Sequence, residues 1–334
     1  MAVKIAINGF GRIGRLVGRI AMQRDDVEVV AINDLGSIKA SAHLFAYDSL
    51  HGHYDGQVEV DGQNLVIDGK SIPYLTERDP EQLPWEQLGV DIVVEGTGQF
   101  RSKEKASKHL KAGAKKVIIT APGKNVDFTL VMGVNHTKYQ PEYQVVSMAS
   151  CTTNCLAPVA KVLMEEFGIV KGFMSTVHSY TNDQRILDLE HSDLRRARAA
   201  ALSIIPTTTG AASALGLVIP ELEGKLDGLA VRVPTPTGSL LDLTLELEKP
   251  ATRDQINAAF LAASQTSLQG ILHYTEVPLV SSDYRGSEYS AIVDGLLTMT
   301  MGDKMAKVIA WYDNEWAYSV RVVDTASFMA SQGL

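Results

Sequence analysis

The sequence has few cysteines, no long apolar run and no excess of positive charge. Only 2 of its 334 residues are cysteine, which cannot build a disulfide framework and fits a reducing cytoplasm. No apolar stretch is long enough to cross a bilayer, and the first residues run directly into a strand pattern, so we expect neither a membrane span nor a signal peptide. The 31 basic and 39 acidic residues give a net charge of −8, which argues against general nucleic-acid binding. We also predict no metal site.

The first 34 residues carry a complete dinucleotide-binding pattern. In order it consists of a strand, a G-x-G-x-x-G motif, a helix and a second strand, at residues 3–7, 9–14, 12–23 and 27–32. Gly9 makes the turn, Gly11 lets a pyrophosphate approach the backbone, and Gly14 allows close packing of helix and strand. Asp34 lies 20 residues after Gly14, where a carboxylate accepts hydrogen bonds from the adenosine ribose. A dinucleotide is therefore the expected cofactor.

Length and the order of predicted elements indicate two α/β domains. Alternating strands and helices predict a Rossmann-type doubly wound parallel sheet over residues 1–150. Long strands with few crossovers predict a catalytic α+β domain with a mixed or antiparallel sheet over 151–314, and a helix at 315–334 that packs back on the first domain. More locally, we expect short hairpin strands at 57–76 as an excursion, a helix at 103–112 and a strand at 129–132.

Cys151 falls where a predicted strand ends and a predicted helix begins. Free N–H groups and the helix dipole favour an anion there, so we expect a lowered thiol pKa and a reactive thiolate. The alternative is a buried structural cysteine, the common fate of a free thiol. The polar Thr-Thr-Asn that follows Cys151 favours reactivity, whereas Cys155, one turn later, has no such setting and is predicted to be a small core residue.

His178 ends a predicted strand, and a long polar loop follows from residue 179 to 199. Thr209 and Gly210 precede an alanine-rich helix, a second helix start suited to an anion. Together these features predict that a thiolate attacks an aldehyde, that hydride passes to a nicotinamide, and that a second nucleophile resolves the thioester. In this scheme His178 accepts the hydroxyl proton. The competing interpretation of His178 is a hydrogen-bonded core histidine.

The sequence resembles the phosphorylating glyceraldehyde-3-phosphate dehydrogenase family over essentially the whole chain. The matching blocks are INGFGRIGR (7–15), ASCTTNCLAP (149–158), TVHSYT (176–181), LRRAR (194–198), PTTTGAA (206–212), RVPTP (232–236) and WYDNE (311–315).

The resemblance implies a role for each matched position, with Cys151 as nucleophile and His178 as base. It implies an NAD site that includes Arg12, Ile13, Asp34, Arg78, Thr120 and Asn314. It implies a site for the substrate's C3 phosphate at Thr181 and Arg232, and a second site, for inorganic phosphate, at Ser150, Thr152, Arg196, Thr209 and Gly210. It further implies a cytoplasmic homotetramer of glycolysis or gluconeogenesis, in which loop 179–199 contacts a neighbour near its cofactor, with no nucleic-acid or membrane partner.

Three positions that differ from the family's common pattern bear on the choice between NAD and NADP. Gly36 and Ser37 after Asp34 make room for a 2′-phosphate, whereas Asp34 and Glu190 repel one, so NAD is expected and NADP is the weaker alternative. Two rival functions stay open from the sequence. One is an erythrose-4-phosphate dehydrogenase, which hydrolyses its thioester; the other is a non-catalytic binding protein on the same fold.

Overall fold

The computed structural model describes residues 2–334 and divides them into two compact units. Unit 1 comprises the residues up to 130 together with Thr137–Ala149 and Ser319–Leu334, and unit 2 comprises Val131–His136 and Ser150–Tyr318. The domain boundaries predicted at 150/151 and 314/315 stay predictions.

Unit 1 alternates strands with helices through most of its length. Its strands are β1 (Val3–Asn8), β2 (Val27–Asn33), β3 (Tyr47–Asp48), β4 (Gly52–His53), β5 (Val58–Asp61), β6 (Asn64–Ile67), β7 (Lys70–Leu75), β8 (Ile92–Glu95), β9 (Lys116–Ile119), β10 (Phe128–Thr129) and β11 (Val145–Ser147). Its helices are α1 (Arg12–Met22), α2 (Ile38–Ala46), α3 (Lys103–Ala106) and α4 (Lys108–Lys111), with a 3-10 turn at Pro80–Gln82.

The large sheet of unit 1 has nine strands in the order β10-β11-β9-β8-β1-β2-β7-β6-β5. Its pairs from β10 to β7 are parallel, and only the β5, β6 and β7 meander is antiparallel. The central strands are buried along nearly their whole length, as parallel strands covered on both faces must be. The predicted doubly wound parallel sheet is confirmed.

The hairpin strands predicted at residues 57–76 form, but they are not an excursion from the sheet. Strand β7 pairs in parallel with β2 through Ile32–Tyr74 and Asn33–Leu75, so the meander extends the main sheet. The alternation along β7, in which Ile72 and Tyr74 are buried, provides the apolar face that this docking needs.

Two further local predictions were wrong in extent. The helix expected at 103–112 is two single turns joined at Ser107, whose hydroxyl donates to the carbonyl oxygen of Lys103 at 2.7 Å and competes with the helical pattern. The strand expected at 129–132 is only the two residues of β10, Phe128–Thr129, because a turn begins at Met132.

Unit 2 contains a long first helix followed mainly by strands. Its helices are α5 (Cys151–Phe167), α6 (Ala211–Val218) and α7 (Arg253–Gln265), with 3-10 turns at Pro220–Leu222, Ser281–Tyr284 and Gly295–Leu297. Its strands are β12 (Ile169–Ser179), β13 (Ile205–Thr208), β14 (Leu226–Val233), β15 (Ser239–Leu247), β16 (Leu272–Thr275), β17 (Ala291–Asp294), β18 (Met299–Met301) and β19 (Met305–Tyr312). The closing helix α8 (Trp316–Gln332) belongs to unit 1 from Ser319 onward.

The sheet of unit 2 is mixed, as the sequence predicts. Its order is β13-β14-β12-β15-β19-β17-β16, with β18 paired to β19. The pairs β12/β14 and β16/β17 are parallel and the others antiparallel. Alternate leucines of β15 are buried with Leu156, Leu163 and Phe260 from helices α5 and α7, which gives unit 2 one large core. The segment between β12 and β13 contains neither helix nor strand, in agreement with the predicted loop.

Among residues 2–334, no helix is both long and apolar enough to cross a bilayer.

Candidate active site and dinucleotide groove

The fingerprint glycines of unit 1 shape a groove of about 790 Å³ at the carboxyl ends of its parallel strands. Gly9 has φ +94°, and a Cβ there would lie 2.6 Å from the backbone nitrogen of Thr97. A Cβ on Gly14 would collide with the carbonyl oxygen of Gly9, whereas one on Gly11 would enter open space within the groove lining. These positions fit the turn at Gly9 and the close packing at Gly14, and the lining of the groove has room for a dinucleotide, whose contacts with the three glycines stay a prediction.

The start of helix α1 is open to an anion. Gly11 is its N-cap residue and offers no side chain to the free N–H groups of the first turn, which includes Ile13. Arg12 turns its guanidinium to Asp48, with nitrogen–oxygen distances of 2.8 and 3.2 Å. Burial of Asp48 raises the pKa of its carboxyl group. The hydrogen bonds that Asp48 accepts, above all from Arg12, outweigh this effect and lower the pKa to about 2. In this conformation the Arg12 guanidinium is held by Asp48, and the role of Arg12 in cofactor binding stays a prediction.

Asp34 and Arg78 line the groove, and Thr120 lies at the end of neighbouring β9. Asp34 is fixed by two backbone donors at 2.7 Å, the N–H of Phe10 to Oδ2 and the N–H of Gly36 to Oδ1. Each carboxylate oxygen retains a lone pair, so Asp34 can still accept from a ribose hydroxyl. The Thr120 hydroxyl donates to the carbonyl oxygen of Glu95 at 3.1 Å.

Unit 2 brings the two predicted catalytic side chains into contact. Cys151 is the first residue of α5, and its Sγ lies 3.4 Å from Nε2 of His178 near the end of β12. The Nδ1 of His178 lies 2.7 Å from the carbonyl oxygen of Ser179, which can only accept, and 3.2 Å from Nη1 of Arg232, which can only donate. We assign the ring proton to Nδ1 because the contact with the carbonyl oxygen is the shorter of the two. Nε2 is then the unprotonated nitrogen and faces the thiol as a base. Cys155 is fully buried in the core, as predicted.

Arg232 lies beside this pair, because β14 runs parallel to β12 and sets His178 opposite Arg232. Its Nη1 donates to the carbonyl oxygen of Ser179 and to Oγ1 of Thr181, both at 3.2 Å, and its buried Nε has no hydrogen-bond partner among residues 2–334. A mostly buried guanidinium with only neutral acceptors favours an incoming anion. The structure thus brings together the two residues predicted to hold the C3 phosphate.

The electrostatics of the thiol differ from the expectation of a lowered pKa. Burial raises the pKa of the Cys151 thiol, and this effect outweighs the attraction of the thiolate to Arg232. Burial also lowers the pKa of His178, and the positive charge of Arg232 adds to that effect, so that the pKa is about 3. A proton transfer from Sγ to Nε2 would place opposite charges 3.4 Å apart. Their attraction is about 5 kcal/mol at an effective dielectric constant of about 20. The helix start alone therefore does not lower the thiol pKa, and a thiolate at Cys151 needs a proton acceptor such as the adjacent Nε2 of His178.

The residues predicted for the second anion site fall into two groups, Ser150 and Thr152 at the start of α5, and Arg196, Thr209 and Gly210 at the start of α6. Ser150 caps α5 by accepting the N–H of Thr153 at 3.1 Å, and Gly210 is the N-cap of α6, where Oγ1 of Thr209 accepts the N–H of Ala211. Arg196 donates from Nη2 to the carbonyl oxygen of Thr208, adjacent to Thr209.

Two predicted members of that site have protein partners in this structure. Arg196 forms an ion pair with Asp183, and this pair lowers the pKa of Asp183 against the opposing effect of burial. The Thr152 hydroxyl lies 2.9 Å from the hydroxyl of Tyr312. An anion at this site must therefore compete with Asp183 for Arg196.

Two buried hydroxyls that the sequence interpretation did not assign support these groups. Tyr312 bridges Thr152 and Thr176 at 2.9 and 2.8 Å, and its ring meets the His178 ring edge-on with centroids 6.0 Å apart. Ser239 accepts the N–H of Ser179 at 3.1 Å and donates to Oδ1 of Asn314 at 2.9 Å, which orients the Asn314 amide. Their only sequence signal is a polar group at the end of an otherwise apolar strand.

We predict that His178→Asn slows alkylation of Cys151 by iodoacetamide at pH 7 by at least ~10-fold, because the raised thiol pKa then has no base to offset it. In this variant the rate should keep rising about tenfold per pH unit from pH 7 to 8.5, as expected below a thiol pKa. Peptide mapping gives the label at Cys151 and, as an internal control, at buried Cys155. Equal rates for the native protein and the variant at pH 7 would contradict the assignment of His178 as base.

The comparisons with known proteins agree with both parts of the chain. The family described as "Glyceraldehyde 3-phosphate dehydrogenase, NAD binding domain" matches residues 3–103, and "Glyceraldehyde 3-phosphate dehydrogenase, C-terminal domain" matches residues 150–314. The chain is 63% identical over 335 residues to a glyceraldehyde-3-phosphate dehydrogenase of Geobacillus stearothermophilus, covering all of both chains. It is 60% identical to one of Priestia megaterium, again over the full length of both, and 57% identical to glyceraldehyde-3-phosphate dehydrogenase 2 of Bacillus subtilis, covering 99% of this chain and 98% of that one. The chain belongs to the glyceraldehyde-3-phosphate dehydrogenase family.

Proposed function

We propose that this protein is an NAD-dependent glyceraldehyde-3-phosphate dehydrogenase, which converts D-glyceraldehyde 3-phosphate and inorganic phosphate to 1,3-bisphosphoglycerate in glycolysis or gluconeogenesis. The observation that carries the proposal is the contact of Cys151 Sγ with His178 Nε2, 3.4 Å apart and beside the Arg232–Thr181 pair. Thiol, base and phosphate-binding cation are what a thioester route from a phosphorylated aldehyde requires. Relatives that carry this name cover the full length of the chain.

The chain's own residues account for the covalent steps. The thiol proton passes to Nε2 of His178 while Sγ bonds to the aldehyde carbon, and the carbonyl oxygen recovers the proton to give a hemithioacetal. His178 then removes the hydroxyl proton again as the C–H bond breaks and the acyl thioester forms. NAD, when bound, would supply the hydride acceptor.

The second anion site completes the cycle. Ser150, Thr152, Arg196, Thr209 and Gly210 would hold inorganic phosphate, whose oxygen attacks the thioester carbon. The C–S bond breaks, the acyl phosphate leaves, and Cys151 returns as a thiolate that regains a proton from His178. An anion that displaces Asp183 from Arg196 gains a charge-assisted hydrogen bond. This site favours a phosphorylating over a hydrolytic enzyme.

An activity assay tests the function directly. Purified protein is given NAD and glyceraldehyde 3-phosphate or erythrose 4-phosphate, each with and without inorganic phosphate, and NADH formation is followed. We expect the fastest turnover with glyceraldehyde 3-phosphate and a strict need for phosphate. Phosphate-independent turnover of erythrose 4-phosphate would instead support the hydrolytic rival, and no turnover of either would support a binding protein.

We further propose a cytoplasmic homotetramer. Loop 180–204 exposes six large aliphatic side chains to between 65% and 86%: Ile186, Leu187, Leu189, Leu194, Leu202 and Ile204. Such a group on one segment is typical of an interface between subunits. Equilibrium sedimentation should give the mass of four chains of 36.2 kDa each. A monomer at micromolar concentration would contradict the proposal.

For the C3 phosphate site we predict that Arg232→Ala lowers kcat/KM for glyceraldehyde 3-phosphate by at least ~10-fold, equivalent to about 1.5 kcal/mol for a lost hydrogen bond to a charged group. Arg232 also contacts Ser179 next to the base, so glyceraldehyde without a phosphate serves as the control. Its kcat/KM should fall by a smaller factor. Equal losses for both substrates would remove Arg232 from the phosphate site.

For the cofactor we predict a higher kcat/KM with NAD than with NADP, because a 2′-phosphate would meet the fixed Asp34 carboxylate. One like-charge pair at about 4 Å costs between ~1 kcal/mol in water and ~4 kcal/mol at an effective dielectric constant of about 20. Asp34→Asn should lower the ratio of kcat/KM for NAD to kcat/KM for NADP. The matched control is Asp61→Asn, at the exposed end of β5, which should leave that ratio unchanged. Equal use of both cofactors by the native protein would show that Asp34 does not discriminate.

A further inference from the structure

A buried polar network lies behind the dinucleotide groove of unit 1. The carboxylate of Glu95, at the end of β8, is 1% exposed. Its Oε2 accepts from Nδ2 of Asn8 at 2.6 Å and lies 3.1 Å from Nε2 of His109, which is fully buried. Its Oε1 accepts the N–H of Thr97 at 2.8 Å and also the Thr97 hydroxyl. One buried carboxylate therefore receives donors from three separate segments.

Trp85 fixes the state of this network. Its indole Nε1–H, which can only donate, points to Nδ1 of His109 at 3.0 Å, so Nδ1 carries no proton. The ring proton then lies on Nε2 and is donated to Glu95. Four donors converge on the two oxygens of Glu95, and Oδ1 of Asn8 accepts from Nδ2 of Asn33 at 2.7 Å. Every donor and acceptor direction is thereby determined.

We propose that Glu95, held by His109 and Trp85, is a positioning residue for the dinucleotide site. Asn8, the last residue of β1, and Thr97, in the loop that follows β8, both line the groove, and Glu95 binds both of them. The same Thr97 nitrogen is the atom that Gly9 approaches so closely, so its position sets the width of the cradle. The proposal rests on the assignment of this groove to NAD.

Stability of the fold alone does not explain why a carboxylate is buried in this network. A buried carboxylate is costly to desolvate, and an apolar residue of similar volume commonly packs as well. Two of the side chains that donate to Glu95, those of Asn8 and Thr97, belong to residues that line the groove. The third, His109, orients the Glu95 carboxylate towards them. The arrangement therefore serves to hold the end of β1 and the loop after β8 at a fixed separation, as positioning groups around binding sites do.

The test measures NAD binding by calorimetry on the full-length protein without aldehyde. Glu95→Gln replaces an acceptor by an NH₂ group that faces existing donors, so we expect the Kd for NAD to rise at least ~10-fold. Val117→Ala, a truncation within the same sheet, is the control for general destabilisation and should leave Kd unchanged. A native Kd in Glu95→Gln, or an equal rise in Val117→Ala, would overturn the proposal.

Two variants of His109 test the positioning role of the network even if Glu95→Gln does not fold. His109→Gln can keep a donor towards Glu95, whereas His109→Phe removes it, so His109→Gln should bind NAD at least ~3-fold more tightly than His109→Phe. Equal Kd values for the two would show that His109 merely fills space. Because binding is measured without substrate, the ranking is independent of whether the chain oxidises glyceraldehyde 3-phosphate. An absence of NAD binding by the native protein would instead contradict the proposed function.

Discussion

The chemistry of unit 2 depends on the hydrogen bond from His178 Nδ1 to the carbonyl oxygen of Ser179. It fixes the tautomer, and so turns Nε2 into the base that faces Cys151. Ser179 is itself held rigidly, because its N–H donates to Ser239 and its hydroxyl donates to the carbonyl oxygen of Gly238. A backbone carbonyl anchored on both sides is a firmer support for an imidazole than a mobile side chain.

The same carbonyl oxygen also accepts from Arg232, and this couples the base to the substrate site. The nearby cation lowers the pKa of His178, after burial, and therefore weakens it as a base while no anion is bound. A phosphate that binds Arg232 would neutralise part of that charge and raise the basicity of His178. Under the function we propose, binding of a phosphorylated aldehyde would thus prepare the base for the proton transfer that follows, which is a physical reason for placing Arg232 beside His178.

The sequence predicted those features whose causes are local. The fingerprint glycines, the helix start at Cys151 and the strand end at His178 each follow from a short run of residues. It did not predict the direction of the Cys151 pKa shift, because burial depends on the whole core of unit 2. Nor did it predict Tyr312, whose partner Thr152 is 160 residues away, or the docking of β7 beside β2. The sequence did contain an indication of the role of Glu95. It is an acidic residue at the end of an apolar strand, directly before a glycine-containing loop, and a buried carboxylate at such a position requires hydrogen-bond donors.

Both units place their polar side chains at one end of a sheet, but by different topologies. In unit 1 all the contributing strands are parallel, so their carboxyl ends coincide at the groove. In unit 2 the sheet is mixed, and its parallel pair β12/β14 brings His178 level with Arg232. Strand β15 begins at this edge with Ser239, and its antiparallel neighbour β19 ends there with Tyr312. The two residues are therefore paired at the same edge as His178 and Arg232. A mixed sheet can therefore assemble base, cation and supporting hydroxyls at one edge, provided that the two strands bearing the charged groups run the same way.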